Sequence, residues 1–132
     1  MTRGRWGPTS PGRRLFEVDK AAIGAACQAL IDKVLKPRFL PEIRPTEFNY
    51  PIDIRGRWHG SNYRFIQRYR SGFADNAGSE FDAPFTRLEY VARDRFHLSF
   101  FRHTGQWQPL YWNVSLSEAL SLIESDGFLH PH

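Results

Sequence analysis

The stretch from Tyr50 to Arg70, YPIDIRGRWHGSNYRFIQRYR, alternates apolar and polar residues on both sides of His59-Gly60-Ser61-Asn62. Alternation with a period of two marks half-buried strands, because successive side chains point to opposite sides of the pleat. Gly60 at the first central position supplies the positive φ of a type II′ turn, so the two runs are expected to form a hairpin. A two-residue turn at Gly60-Ser61 sets Trp58 opposite Tyr63, Gly56 opposite Phe65 and Ile52 opposite Tyr69. Tyr50, Ile52, Ile54, Gly56 and Trp58 then share a core face, and Asp53, Arg55, Arg57 and His59 share the other. On that second face the register puts Arg57 across from Arg64 and Asp53 across from Arg68, with Arg70 extending the strip. Like charges directly opposed on a ladder destabilise it by a few tenths to about 1 kcal/mol.

Upstream, residues 1–16 mix Gly, Pro, Ser and Arg without apolar periodicity and are expected to be a flexible basic arm. Residues 17–132 are expected to form a single α+β domain. Its first element is a helix over Val18–Leu35, with Ile23, Ala26, Cys27, Leu30, Ile31 and Val34 on one stripe. Asp19 is the expected N-cap, and Pro37 is expected to stop the helix at Lys36. Residues 37–49 carry three prolines and suggest an extended connector pinned by Phe39, Leu40, Ile43 and Phe48.

Downstream of the hairpin, SGFADNAGSEFDAP (71–84) reads as a long turn-rich loop. Phe85–Val91 and Phe96–Arg102 read as strands joined near Ala92-Arg93-Asp94-Arg95. His103-Thr104-Gly105 suggests a three-residue hairpin loop with Gly in the left-handed position, pairing Phe101 with Trp107, Leu98 with Leu110 and Phe96 with Trp112. That places Phe96, Leu98, Phe100, Leu110 and Trp112 on a core face. His97, Ser99, Phe101, His103, Trp107 and Tyr111 fall on the opposite face, still aromatic enough to call for a cover by the first helix or a second subunit. Ser115-Leu116-Ser117-Glu118 is a capping box opening a short amphipathic helix, with Gly127 as its C′ residue. An extended tail with Phe128 and Leu129 tucked in closes the chain. The expected architecture is an antiparallel meander of about five strands with an N-terminal and a C-terminal helix packed on one face.

The stretch from Leu40 to Pro131 resembles a family of small uncharacterised bacterial proteins classed as a domain of unknown function. LPEIRPTEFNYPIDIRGRWHG, YRFIQRYRSGF, FDAPFTRLEYV, HTGQWQPLY and SLSEALSLIESDGFLHP carry the resemblance, and the arm and first helix fall outside it. The resemblance implies no catalytic residue, cofactor or substrate class.

Function must therefore be sought in the residues. One cysteine, Cys27, on the helix's apolar stripe precludes an intramolecular disulfide and fits a reducing, cytoplasmic setting. No run reaches the length of a bilayer span, and the basic start lacks the apolar segment of a secretory signal, so no membrane partner is expected. His97 and His103 would stand about 20 Å apart along one strand, too far to share an ion. No H-E-x-x-H, G-x-S-x-G, P-loop or dinucleotide fingerprint occurs, so no catalytic residue, metal site or cofactor is assigned. A small enzyme would need a site assembled wholly by the fold.

The formal net charge of +4 is concentrated in the arm and in the hairpin. Arg55, Arg57, Arg64, Arg68 and Arg70 offer planar donors to phosphate oxygens, and His59 and Asn62 at the tip can add hydrogen bonds. The expectation is a non-catalytic module whose basic patch recognises nucleic acid or another polyanion. The rival is a protein-interaction module or homodimer subunit, in which those arginines meet the acids of a partner or of Asp75, Glu80 and Asp82 in the same chain.

Overall fold

The computed structural model describes residues 14–131; the expected arm therefore lies almost wholly outside the described residues. Five strands form one antiparallel sheet in the order β1-β2-β3-β4-β5. They are β1 (Asn49–His59), β2 (Asn62–Ser71), β3 (Glu80–Ala92), β4 (Arg95–Phe101) and β5 (Trp107–Val114). Helix α1 (Glu17–Leu30), a π turn (Ile31–Leu35) and α2 (Lys36–Phe39) precede the sheet; α3 (Leu116–Ser125) and a 3₁₀ turn (Gly127–Leu129) follow it.

The helices share one face of the sheet. Ile23, Cys27, Ile31 and Leu35 from the first helical run meet Ile54, Phe65, Phe85, Leu88, Phe96 and Leu98 from the strands and Ala119, Ile123 and Leu129 from the C-terminal segment. Trp58 Nε1 donates to Lys20 O at 3.2 Å, and Thr86 Oγ1 donates to Leu129 O at 2.8 Å, tying each helical layer to the sheet. Burial pushes the Cys27 thiol up to about 12, so it is an inert core residue. The first helix does not cover the His97 and Phe101 side, as one sequence alternative had it. It lies on the Phe96 and Leu98 side.

Pro37 does not end the helix. The π turn shifts the hydrogen bonds by one residue, Lys36 N donating to Ile31 O, and the widened turn admits a proline at the start of α2. Phe16, not Asp19, is the N-cap; the Asp19 carboxylate reaches back to the Phe16 N–H at 3.3 Å. In the connector Phe39 and Leu40 pack on the core, while Ile43 (48% exposed) and Phe48 (58%) do not. The Ser115–Glu118 capping box forms as expected, in both directions. Gly127 follows the C-cap Asp126 but has no positive φ; it opens the 3₁₀ turn, in which Leu129 is buried and Phe128 stays exposed.

Bulges explain where the register departs from expectation. Gly60 (φ 62) turns the hairpin, and Trp58↔Tyr63, Gly56↔Phe65, Arg57↔Arg64 and Asp53↔Arg68 pair as the sequence suggests. Beyond Asp53 the register slips by one, so Pro51 rather than Ile52 faces Tyr69. One inserted residue reverses the facing of all that follow. Tyr50 consequently pairs with Arg70 and stands outside the helix-side cluster. β3 begins at Glu80, five residues before the expected Phe85, and a second slip between its Pro84 and Thr86 partners lets Pro84 sit in a strand interior. Between β4 and β5, Leu98 pairs with Tyr111 and Phe96 with Val114, not with Leu110 and Trp112. Tyr111 therefore faces the helices and donates to Asp126 Oδ2, whereas Trp112 is 58% exposed.

Candidate functional site

The face away from the helices carries the arginine strip. Strand pairing aligns Arg57, Arg64, Arg87 and Ser99 in one row running from β1 to β4. Adjacent strands lie about 4.8 Å apart, so three guanidinium-bearing residues stand within about 10 Å. The neighbouring row is His59, Asn62, Glu89 and His97.

The hairpin arginines divide into two groups. Arg55 donates to Asp53 at 2.9 Å, and Lys36 reaches the same carboxylate at 3.1 Å. Burial works to raise the Asp53 carboxyl, but hydrogen bonds from Arg55 and Lys36 outweigh it and hold the group below its usual range. Arg68 spans Glu80 (3.0 Å) and Asp82 (2.7 Å), and Arg70 meets Glu80 at 2.9 Å. Arg70 and then Arg68 hold the Glu80 carboxyl below its ordinary value. These three arginines are neutralised within the chain, and the acids that do so belong to β1 and to the early part of β3. Asp75, the third loop acid, forms no ion pair among the described residues.

Arg57, Arg64 and Arg87 have no carboxylate within ion-pair distance among the described residues. Arg57 is exposed and the other two are half-buried. The indole of Trp107, reaching in from β5, holds both: its centroid is 5.7 Å from the Arg64 guanidinium carbon and 5.1 Å from that of Arg87. Each such cation–π contact contributes about 0.5–1 kcal/mol near a surface. Phe101 packs edge-on against Trp107 at 5.0 Å and fixes its position. Even so, Arg64 Nε and Arg87 Nε are buried without a hydrogen-bond partner, as is Asn62 Oδ1 in the next row. The buried unpartnered side-chain atoms of the described residues thus gather at one spot on one face.

A family model described as Domain of unknown function (DUF3024) matches residues 15–131. The chain belongs to that family. Membership takes in α1, which the sequence resemblance had left outside, and every element that builds the arginine row. Nothing matches the chain among curated proteins or among solved structures. The family's description assigns no chemistry, so the geometry of the face has to speak for itself.

Arg87 and Trp107 were not singled out from the sequence as binding residues. Arg87 sits next to the core residue Leu88, and alternation alone would turn it outward. Its meeting with Arg64 depends on the β3 bulge, which composition does not signal. His59 and Asn62 pair at the hairpin tip as expected, with Asn62 half-buried. No three His, Cys, Asp or Glu residues are grouped to hold a metal among the described residues, and no helix among them is long and apolar enough to cross a membrane. A hollow of about 280 Å³ lies between the start of α1 and the β3–β4 turn, with Phe16, Asp19, Tyr90 and Asp94 in its wall. Its two carboxylates are engaged in structure: Asp19 accepts the Phe16 N–H at 3.3 Å, and Asp94 accepts the Leu116 N–H at 2.9 Å.

Proposed function

We propose that this protein is a non-catalytic binding module that recognises nucleic acid or another polyanion on the open face of its sheet, through Arg57, Arg64 and Arg87. One observation carries the reading. Three like charges are aligned across three strands with no carboxylate between them, on a face where the neighbouring arginines are all neutralised. Aligned like charges oppose sheet pairing, and a buried donor without an acceptor costs about 1–3 kcal/mol. An anion seated on the row relieves the repulsion between the aligned charges. Guanidinium groups suit it, since they are planar, permanently charged and able to donate two parallel hydrogen bonds to phosphate oxygens.

Arg55, Arg68 and Arg70 border the row and have a secondary role in this reading: their charges are already offset, so they shape the field without contributing a free donor set. His59 and Asn62 flank the row and can add hydrogen bonds to a bound backbone. Binding of an acidic protein would use the same three arginines. Self-association through this face is disfavoured, because two copies would bring like charges together.

The test is binding of heparin and of oligonucleotides measured across a salt series. Three neutralised phosphates on a single strand predict a slope of log K against log salt of about −2, from roughly 0.7 per phosphate. A slope near zero, or no binding at low salt, would rule the reading out.

A further inference from the structure

We infer that the polyanion is single-stranded nucleic acid, with a base stacked on Trp112; this deepens the binding reading above and rests on it. Trp112 departs from its sequence expectation. Alternation from Phe96 would have buried it, yet it is 58% exposed. The β4–β5 register slips here, leaving Trp112 and Asn113 together opposite His97. Asn113 takes a left-handed φ of 55°, and its N–H donates to His97 Nδ1 at 3.2 Å, which fixes the bulge. Tyr111 is turned to the helices by Asp126, so Trp112, the next residue, projects from the arginine-bearing face.

The two indoles of this face have different work. Trp107 is occupied in holding Arg64 and Arg87. Trp112 makes no ring or cation contact with any described residue. Turning an indole out of the core forfeits much of its apolar burial, and no ring or cation contact among the described residues offsets the loss. A π-face on the same side of the sheet as unneutralised guanidiniums is the combination by which single strands are held: backbone charge on arginine, an unpaired base on an aromatic ring. A duplex keeps its base faces stacked inside and could use only the arginines. Glu89 stands between the row and His97 and limits how far a phosphate can approach on that side, which favours a base over a phosphate near Trp112.

The experiment compares wild-type protein, Trp112→Ala and Trp112→Phe for binding to an oligo-dT of about 12 nucleotides, to a duplex of equal length, and to heparin. The expected result is tighter binding of the single strand than of the duplex. Trp112→Ala should lose about 5- to 150-fold in oligo-dT affinity, Trp112→Phe should restore most of it, and heparin binding should not change. Two results would overturn the inference and leave the polyanion reading intact: duplex bound as tightly as single strand, or Trp112→Ala affecting oligo-dT and heparin equally or not at all. If heparin and both nucleic acids fail to bind even at low salt, the polyanion reading falls and takes this inference with it.

Discussion

Reversing the charge of Arg64 and Arg87 together, Arg64→Glu with Arg87→Glu, should abolish polyanion binding while leaving the fold in place. The separation of the two effects is the informative part. Arg64 lies between Arg57 and Arg87, so a glutamate there meets a cation on β1 and removes one repulsion, while the two introduced carboxylates oppose each other across β2 and β3 as the two arginines did. Each favourable cross-strand pair contributes about 0.2–1 kcal/mol. Against this stands the loss of two cation–π contacts to Trp107, about 0.5–1 kcal/mol each. The sums nearly cancel, and the change in stability should stay within about 1 kcal/mol. Binding, by contrast, loses two attractive contacts and gains two repulsive ones at the centre of the row. The paired arginines supply the control. Arg68→Gln removes a guanidinium already bound to Glu80 and Asp82, so it should weaken binding far less. A double variant that unfolds would mean that the row exists to hold the sheet together.

The largest loss of stability should come from Phe85→Ala, about 3–5 kcal/mol, measured as a lowered urea midpoint. Phe85 has no exposed surface and sits 6.2 Å from Phe65 at the centre of the helix-side core. It is also the extra residue of the β3 bulge, so the ring fills space that regular pairing would not open. Truncation leaves a cavity that the neighbouring strands cannot close without undoing the bulge. A domain of this size is stable by about 5–15 kcal/mol, so the variant forfeits a large share of the total. Truncating Val18, which is 74% exposed, to alanine should change stability by less than about 0.5 kcal/mol. The bulge also has a functional side. It sets the register that brings Arg87 beside Arg64, so a repacked core is expected to disturb binding as well.

What the sequence disclosed follows a physical division. Local chemistry was legible: Gly60 and Gly105 each take the positive φ their turns require, and Ser115 with Glu118 closes the helix start as the spacing implies. The hairpin register near the turn was legible too, because a two-residue turn fixes it for several pairs. Further away, register depends on how strands settle against one another. The slips at Ile52, at Phe85 and at Trp112–Asn113 have no composition signal, and each reversed the facing of nearby residues. Tyr50, Tyr111 and Trp112 were misplaced for that single reason. A regular α-helix cannot hold Pro37, which is why the sequence points to a stop there; the π turn before it lifts that restriction.

The arginine strip shows the same division. Sequence spacing was sufficient to place Arg57 across from Arg64. It could not decide which arginines the chain would neutralise, since β3 was expected to start too late to carry Glu80 and Asp82. Alternation puts Trp107 on the side away from the core and turns Arg87 outward, but it cannot show that Arg64, Arg87 and Trp107 meet, because that needs the pairing of β2 with β3 and the reach of an indole from β5.

The most direct test of the arginine row is an NMR titration of the full chain with oligo-dT, following the Nε–H resonances of the arginines and the indole N–H of Trp107. The row predicts that Arg57, Arg64, Arg87 and Trp107 shift together and saturate at one stoichiometry, while Arg55, Arg68 and Arg70, held by Asp53, Glu80 and Asp82, move little. Shifts confined to the paired arginines or to the helix-bearing face, with the row unmoved, would contradict it.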